Sequence, residues 1–451
     1  MRARVGWLVL ALLLSGCALV PPGGQSAETP SATPPASASA TATPEPEPEP
    51  PPPLPDGPTL KKLLQKVGRT ALKDYGYAVY GYDGVLLAAK GDEPMVPAST
   101  TKVITALAAL DVLGPQHTFA TRVLSDGSGA ITLVGGGDPG LMSAPSEVKA
   151  QAANLDTLAA LTVAALQAAG TASVTLQYDE SLFCGELYAK SWKSKWSGYT
   201  SRVSALTVNN GKSTVDSTGA RALSLGKADT DPAKAAAKVF AQKLKAAGVK
   251  VKQVRAGQAD DGAAEIARVT SAPLGTIVRR MLRYSENFTA EVLARQVAIA
   301  QGKGCNFAKA SAALTSWMKA KGLWQDGDKI DGGSGLSSKA RLSPSTLAKA
   351  VLLALGDAKY ADALDGFPVA GKSGTLSKKA GRFNDKAEKA GIGVVHAKTG
   401  SLTGIATLAG YVEDADGAIL VFAFMSAHAG QTSAFNWIDR SATVLATCGC
   451  R

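Results

Sequence analysis

Residues 96–107 read Val-Pro-Ala-Ser-Thr-Thr-Lys-Val-Ile-Thr-Ala-Leu, and the rest of the chain is interpreted from this stretch. The residues after Pro97 have the pattern of a helix start. Ser99 and Lys102 are three positions apart, so one helical turn brings the lysine amine to the hydroxyl. Because residues 103–107 are nearly all apolar, Lys102 is predicted to be buried, which lowers the pKa of an amine. Taken alone, the spacing also fits a capping serine beside a surface lysine.

Two further short motifs follow much later in the chain. Ser285-Glu286-Asn287 precedes a helical pattern, and residues 398–401 (Lys-Thr-Gly-Ser) end a strand-like run that enters a hairpin at 405–425. A glycine at position 400 of a strand allows another element or a ligand to approach closely. Each motif is weak on its own, since the first also fits helix capping.

Together, in this order, the three motifs are the signatures of active-site-serine penicillin-recognising enzymes. More narrowly, the chain resembles the class C low-molecular-mass penicillin-binding proteins, the D-alanyl-D-alanine carboxypeptidase/endopeptidase family. The resemblance covers the chain from about residue 60 to its end. Seven stretches carry it in order: residues 96–102, 135–139, 178–183, 284–287, 331–337, 368–371 and 397–401.

The resemblance implies an α/β fold of the penicillin-binding-protein/β-lactamase-like transpeptidase class, an antiparallel sheet flanked by helices. Strand-like runs near both chain ends agree with a single sheet built from both. A β-like run is also predicted at 202–208, and a last helix at about 431–446. The predicted catalytic domain comprises residues 59–118 and 265–451. Ser285 follows Ser99 by 186 positions, which leaves room for an inserted mixed α/β domain at 119–264.

The resemblance also implies a role for each motif residue. Ser99 attacks the carbonyl between two D-alanines with Lys102 as base, and Ser285 relays a proton to the leaving amine with help from Lys398. The other implied roles are substrate positioning by Asn287, carboxylate binding by Thr399 with Lys398, and an oxyanion site at the N–H groups of Ser99 and Ser401, beside Gly400. The expected ligands are peptidoglycan stem peptides and, as inhibitors, β-lactams.

Residues 372–375 (Lys-Ser-Gly-Thr) are a rival for the third motif. We favour Lys398, because the rival precedes a charged, loop-like stretch at 378–389. Two departures from the family pattern are small: Glu286 stands where many relatives have Asp, and an extra glycine lengthens the stretch 331–337.

The N-terminus predicts export and a lipid anchor. A cationic start and a short apolar run precede Leu-Ser-Gly-Cys, which resembles a bacterial lipobox, so residues 1–17 are predicted to be a lipoprotein signal peptide with lipidation at Cys17. A plain secretory signal is the alternative. Residues 18–58 hold fourteen of the 23 prolines and are predicted to be a disordered tether. The protein would then lie at the outer face of the bacterial cytoplasmic membrane, in the cell envelope.

Charge, histidine spacing and cysteine count indicate which partners, cofactors and disulfides to expect. The chain carries a formal charge of +11, but its lysines are scattered and no nucleic-acid motif is present, so a nucleic-acid partner is not expected. The three histidines lack metal-ligand spacing, and neither a metal nor a cofactor is expected. Four cysteines besides Cys17 allow three disulfide pairings, between which the sequence does not choose: Cys184, Cys305, Cys448 and Cys450.

Two alternative functions stay open at this point. A β-lactamase would need a deacylating carboxylate near Ser99, and no such loop is recognisable. A catalytically silent wall-binding or β-lactam-binding protein is the other. The sequence distinguishes neither carboxypeptidase from endopeptidase action nor the diamino acid of the substrate. Two interpretations of Glu186 stay open, a contact with the ammonium group of that residue and a plain solvated glutamate.

Overall fold

The computed structural model describes residues 51–68, 72, 74–146, 152–192, 198–212 and 228–450. The predicted signal peptide, Cys17 and most of the predicted tether lie outside these residues. Helix α1 (Gly57–Gly68) starts two residues before the predicted beginning of order at Thr59. No helix of the described residues is both long and apolar enough to span a bilayer.

The first sheet joins the two ends of the chain, as the sequence predicted. Its order is β2-β1-β10-β9-β8, and every neighbouring pair is antiparallel. The strands are β1 (Asp74–Gly81), β2 (Leu86–Lys90), β8 (Val395–Leu402), β9 (Ile405–Glu413) and β10 (Ile419–Ala427). The central contact is the pairing of β1 with β10, in which Tyr77 lies opposite Phe424.

Helices cover both faces of this sheet because side chains alternate along its buried strands. Tyr77 and Val79 pack towards α1 and the last helix, while Ala78 and Tyr80 pack towards the main helical layer. The helices of this domain are α1, α2 (Thr101–Leu113), α5 (Leu274–Tyr284), α6 (Asn287–Ala300), α7 (Phe307–Ala320), α8 (Pro344–Leu355), α9 (Ala361–Asp365) and α10 (Gln431–Ala446). Helix α2 lies at the centre, with every residue from Thr101 to Leu110 buried.

A second, mixed sheet lies in the predicted insertion. Its order is β6-β5-β4-β3-β7, with β4, β5 and β6 parallel to one another. The elements are β3 (Ala120–Ser125), β4 (Ala130–Val134), α3 (Leu155–Ala168), β5 (Ser173–Asp179), α4 (Pro232–Ala246), β6 (Lys250–Ala256) and β7 (Ala264–Thr270). Since β7 pairs with β3, this sheet extends six residues beyond the boundary expected at 264.

One predicted strand is wrong. The stretch 202–208 has β-like alternation, yet it forms no strand. Its backbone bonds to loops instead: Val203 N–H donates to Leu187 O, and Gly137 N–H donates to Ala205 O. Its apolar side chains are shared between two separate hydrophobic clusters, and this irregular path satisfies the buried backbone without a sheet partner.

The structure also selects one of the three disulfide pairings. Cys184 is bonded to Cys305, and Cys448 is bonded to Cys450. The first bridge links the inserted segment to the start of α7, and the second closes a short ring after α10.

Candidate active site

Ser99 and Lys102 meet at the entry to α2. A 3-10 turn at Ala98–Thr100 continues directly into the helix, so the three-residue spacing is preserved in space. Lys102 Nζ lies 2.9 Å from Ser99 Oγ. Ser99 is half-buried at the surface of a cavity, whereas the Lys102 side chain is fully buried.

Lys102 has two further neighbours that can only accept a hydrogen bond from it. Its Nζ donates to Asn287 Oδ1 at 2.6 Å and to the Ser334 carbonyl at 2.7 Å. Burial lowers the pKa of Lys102 to about 7, while the negative charge of Glu291 acts in the opposite direction. A neutral amine has two N–H donors and one lone pair. In the neutral state the two acceptors take both N–H groups and leave the lone pair for the Ser99 hydroxyl, whereas in the protonated state the third N–H donates to Ser99 Oγ.

Ser285 and Asn287 lie on the sharp turn between α5 and α6. Ser285 is the residue after α5 and has a left-handed backbone with φ +59°. Non-glycine residues seldom adopt this conformation and often do so at functional sites. The side chain of Glu286 turns away from the cavity, and its carboxylate accepts hydrogen bonds from Arg280 Nε and Thr289 Oγ1. A glutamate at this position therefore adds no carboxylate to the site.

Lys398 reaches the same place from β8. Its Nζ lies 2.9 Å from Ser285 Oγ and donates to the Thr399 carbonyl at 2.6 Å. Complete burial is the main cause that holds the pKa of Lys398 well below its usual value, followed by the positive charges of Lys102 and Arg382. An anion that enters the cavity would favour the charged form of this amine.

Gly400 is required by the close approach of the Ser99 segment to β8. A Cβ at this position would lie 2.1 Å from Thr407 Oγ1, 2.8 Å from the Pro97 carbonyl and 3.0 Å from Ser99 N. Thr407 Oγ1 in turn donates to the Pro97 carbonyl. The glycine of the third motif therefore fixes the position of the first motif against the sheet.

These motifs line one cavity of about 770 Å³. Six of the eight predicted catalytic and substrate-binding residues line it, whereas Lys102 and Lys398 are fully buried and do not, and its described lining residues carry no carboxylate. Residues from the motifs and their surroundings contribute: Ser99, Ser285, Asn287, Thr399, Gly400, Ser401, Tyr199, Leu336, Thr375, Arg382, Gln431 and Phe435. Arg382 lies in its wall, and the amines of Lys102 and Lys398 lie behind Ser99 and Ser285, where an anion in the cavity would favour their charged forms.

Comparison with known proteins decides the family. The sequence matches the D-Ala-D-Ala carboxypeptidase 3 (S13) family over residues 60–222 and 217–447. The chain belongs to this family. Its relatives include Carboxypeptidase Rv3627c of Mycobacterium tuberculosis, 36% identical over 80% of this chain and 77% of that protein. Carboxypeptidase DacB of Mycolicibacterium smegmatis is 34% identical over 79% of this chain and 76% of that protein.

Solved structures show the same fold. Penicillin-binding protein 4 (dacB) of Haemophilus influenzae superimposes with a TM-score of 0.71 at 20% identity, covering 85% of this chain and 99% of that one. The family and fold that the sequence predicted are confirmed. As a member of the S13 family, this chain is a serine-type DD-peptidase. Because the enzymes of this family act on peptidoglycan, it belongs to the cell envelope.

The S13 enzyme's cavity also contains residues that sequence reasoning missed. The Tyr199 carbonyl, from the inserted segment, accepts from Asn287 Nδ2 at 2.9 Å. Thr375 Oγ1 and Thr399 Oγ1 share a hydrogen bond at 2.7 Å. Thr375 ends the rival Lys-Ser-Gly-Thr stretch, whose Lys372 is exposed and outside the cavity lining. The Lys-Ser-Gly-Thr stretch is therefore not the third motif, but it does contribute one residue, Thr375, to the cavity.

Arg382 was missed because only tertiary contacts bring it to the cavity. Its guanidinium is nearly buried, donates to both carboxylate oxygens of Asp439 and lies 4.4 Å from the Phe435 ring. Glu186, by contrast, is exposed, forms an ion pair with Lys190 at 2.7 Å and does not line the cavity.

Proposed function

We propose that the enzyme cleaves D-alanyl peptide bonds through an acyl-enzyme on Ser99, with Lys102 as the base. The observation that carries this proposal is the set of partners of Lys102. Two acceptors take the N–H groups of the neutral amine and direct its lone pair at the Ser99 hydroxyl. With a pKa of about 7, a large fraction of this amine is unprotonated at neutral pH and can act as a base.

The remaining motif residues act on the leaving group and the substrate ends. Ser285 relays to the leaving amine the proton that Lys102 takes from Ser99, and it is assisted by Lys398, whose Nζ is 2.9 Å away. Asn287 positions the acyl side of the substrate, and the backbone N–H groups of Ser99 and Ser401 bind the oxyanion. Thr399, with Lys398 beneath it, binds the terminal carboxylate. The contact of Lys398 Nζ with the Thr399 carbonyl supports this last role, because a carboxylate bound there would favour the charged form of the amine.

Hydrolysis of the acyl-enzyme by water completes the turnover of a peptide. β-Lactams would acylate Ser99 in the same way and remain bound. The lining of the described cavity supports slow release, because none of its residues supplies a carboxylate base for water. The β-lactam complex of Haemophilus influenzae penicillin-binding protein 4 has the same fold, with a TM-score of 0.67, 20% identity and coverage of 84% of this chain and 97% of that one.

Labelling with fluorescent penicillin tests the nucleophile. The wild-type enzyme is expected to form a denaturation-resistant adduct, with the added mass on the peptide that contains Ser99. Ser99→Ala should abolish it, and Ser373→Ala, a serine of the rival stretch, should retain it. An adduct that persists in Ser99→Ala and disappears in Ser373→Ala would overturn the assignment.

Defined muropeptides test the reaction itself. Incubation of the enzyme with monomeric pentapeptides and with cross-linked dimers should release D-alanine from the first, cleave the second, or do both. Ser99→Ala should release neither product. Failure of the wild-type enzyme on both substrates, together with normal penicillin labelling, would favour a β-lactam-binding protein without peptidase action.

We further propose that Cys17 carries the lipid that holds the enzyme at the outer face of the membrane. The support is the Leu-Ser-Gly-Cys sequence after a short apolar run, followed by a proline-rich tether. Metabolic labelling with a fatty acid should mark the wild-type protein and not Cys17→Ser. Release of the variant into the soluble fraction is the expected second result, and equal labelling of both would refute the anchor.

A further inference from the structure

Glu291 lies one helical turn beyond Asn287 on the same face of α6. Its side chain is completely buried. The two carboxylate oxygens accept from the backbone N–H groups of Ser334 at 2.8 Å and Gly333 at 3.1 Å. Glu291 thus binds the loop on which Lys102 depends, although it does not itself line the cavity.

The backbone of Ser334 connects Glu291 to Lys102 through the two peptide groups that flank its Cα. Its N–H donates to Glu291, and its carbonyl accepts from Lys102 Nζ at 2.7 Å. From α2, Thr105 Oγ1 donates to the Gly333 carbonyl at 2.7 Å. A Cβ on Gly333 would lie 2.6 Å from the Ala290 carbonyl, so the loop packs directly against α6. The loop is therefore held from both helices that carry catalytic groups.

A carboxylate is a costly way to hold a loop. Burying a charged group in a protein interior is unfavourable unless its partners compensate, and apolar residues of the same volume often serve stability as well or better. Two neutral N–H donors compensate only in part, because burial raises the pKa of Glu291 despite them. A function in the active site accounts for a charge at this position.

We propose that Glu291 is a positioning residue for the catalytic base: its carboxylate, bonded to the backbone N–H groups of the 333–334 loop, holds the Ser334 carbonyl against Lys102 Nζ. The inference rests on the role proposed above for Lys102. The groups that share this environment are Lys102 on α2, Arg295 one turn further along α6, and Lys398 on β8. Glu291 interacts electrostatically with Lys102 and Arg295, and Lys398 interacts with Lys102.

The sign of the effect follows from the charge. A negative neighbour stabilises the protonated amine, so Glu291 raises the pKa of Lys102 against the lowering effect of burial. Removal of the Glu291 charge must therefore lower the pKa of Lys102, so that the lysine loses its proton at a lower pH. Glu291→Gln and Glu291→Met both remove the charge; the first retains a partial hydrogen-bond acceptor, and the second is apolar.

The test is the rate of penicillin acylation measured as a function of pH in the full-length enzyme. The wild-type rate is expected to rise with pH through a midpoint near 7. In both Glu291 variants, the midpoint should fall by about one pH unit, and the plateau should fall roughly tenfold because the Ser334 carbonyl is less well held. Thr105→Val is the matched control, because it releases the same loop without changing a charge. Its plateau should fall while its midpoint stays.

Each outcome separates the two proposals. A wild-type profile without a midpoint near 7 would remove the role proposed for Lys102. If the wild-type midpoint is present and both Glu291 variants share it, only the inference about Glu291 is overturned. Failure of both variants to fold, judged by circular dichroism and thermal unfolding, would also overturn it, since Glu291 would then be a determinant of folding.

Discussion

The active site contains two serine–lysine pairs that have the same distance between their polar atoms but very different separations in the sequence. Lys102 Nζ and Lys398 Nζ each lie 2.9 Å from their serine oxygen. The first pair is three residues apart on one helical entry, and the second is 113 residues apart, joined only when β8 meets the turn between α5 and α6. A local pair is fixed by helix geometry, whereas a distant pair depends on the whole tertiary structure. In the proposed mechanism the local pair carries out the attack on the substrate, and the distant pair assists the proton transfer to the leaving group.

Loss of the local lysine should have the largest effect. Lys102→Met keeps the length and burial of the side chain but removes the lone pair that faces Ser99. Acylation by penicillin should slow roughly 10³- to 10⁴-fold, the upper range for loss of a general base. Stopped-flow fluorescence measures the rate, with thermal unfolding as the control for folding. A loss below tenfold would mean that another group activates Ser99.

Loss of the distant lysine should be less severe and depend on the substrate. Lys398→Met should slow hydrolysis of a peptide ending in free D-Ala-D-Ala roughly 10²- to 10³-fold, because proton relay and carboxylate binding are both weakened. For the amidated peptide the loss should be smaller, since no carboxylate is bound. Equal losses on the two peptides would contradict the carboxylate role. The comparison requires kcat/KM for both peptides in wild type and variant.

The two disulfides offer the same contrast between a local and a distant link. Cys184 and Cys305 are 121 residues apart, and Cys448 and Cys450 are two apart. Because loop-closure entropy grows with loop length, Cys184→Ser/Cys305→Ser should lower the free energy of unfolding by about 2–4 kcal/mol. For Cys448→Ser/Cys450→Ser the expected loss is about 2 kcal/mol or less. Urea unfolding measures both, and the opposite order would contradict the argument.

The pH dependence should identify which lysine limits acylation. Below a pH near 7, Lys102 is protonated and cannot accept the Ser99 proton, so the rate should fall about tenfold per pH unit. Lys398→Met should keep this acid limb at its lower rate, whereas Lys102→Met should lose it. An acid limb that survives in Lys102→Met and disappears in Lys398→Met would exchange the roles of the two lysines.

The same contrast explains what could be predicted from the sequence. The Ser99–Lys102 pair, the turn at Ser285 and the terminal hairpin are set by local spacing, and helix α10 was predicted at its observed bounds of 431–446. The first sheet could be predicted because strand-like runs occur near both chain ends and the last two form a recognisable hairpin.

The residues that sequence reasoning missed depend on contacts across the fold. Glu291 looks like an ordinary residue of an amphipathic helix until the loop at 332–335 packs on it. Arg382 reaches the cavity only through Asp439, 57 positions later. The stretch 202–208 was misread as a strand because its alternation reflects two hydrophobic clusters on either side of a loop, rather than the faces of a sheet.

The carbonyl of Tyr199 has a consequence for attempts to reduce the enzyme to a minimal catalyst. The inserted segment supplies the acceptor for the Asn287 amide and one wall of the cavity. Excising that segment to leave a compact core would therefore strip the amide of its acceptor and open the cleft to water on one side. A trimmed enzyme would need a replacement loop with a carbonyl at the same place, so the insertion cannot be treated as a detachable module.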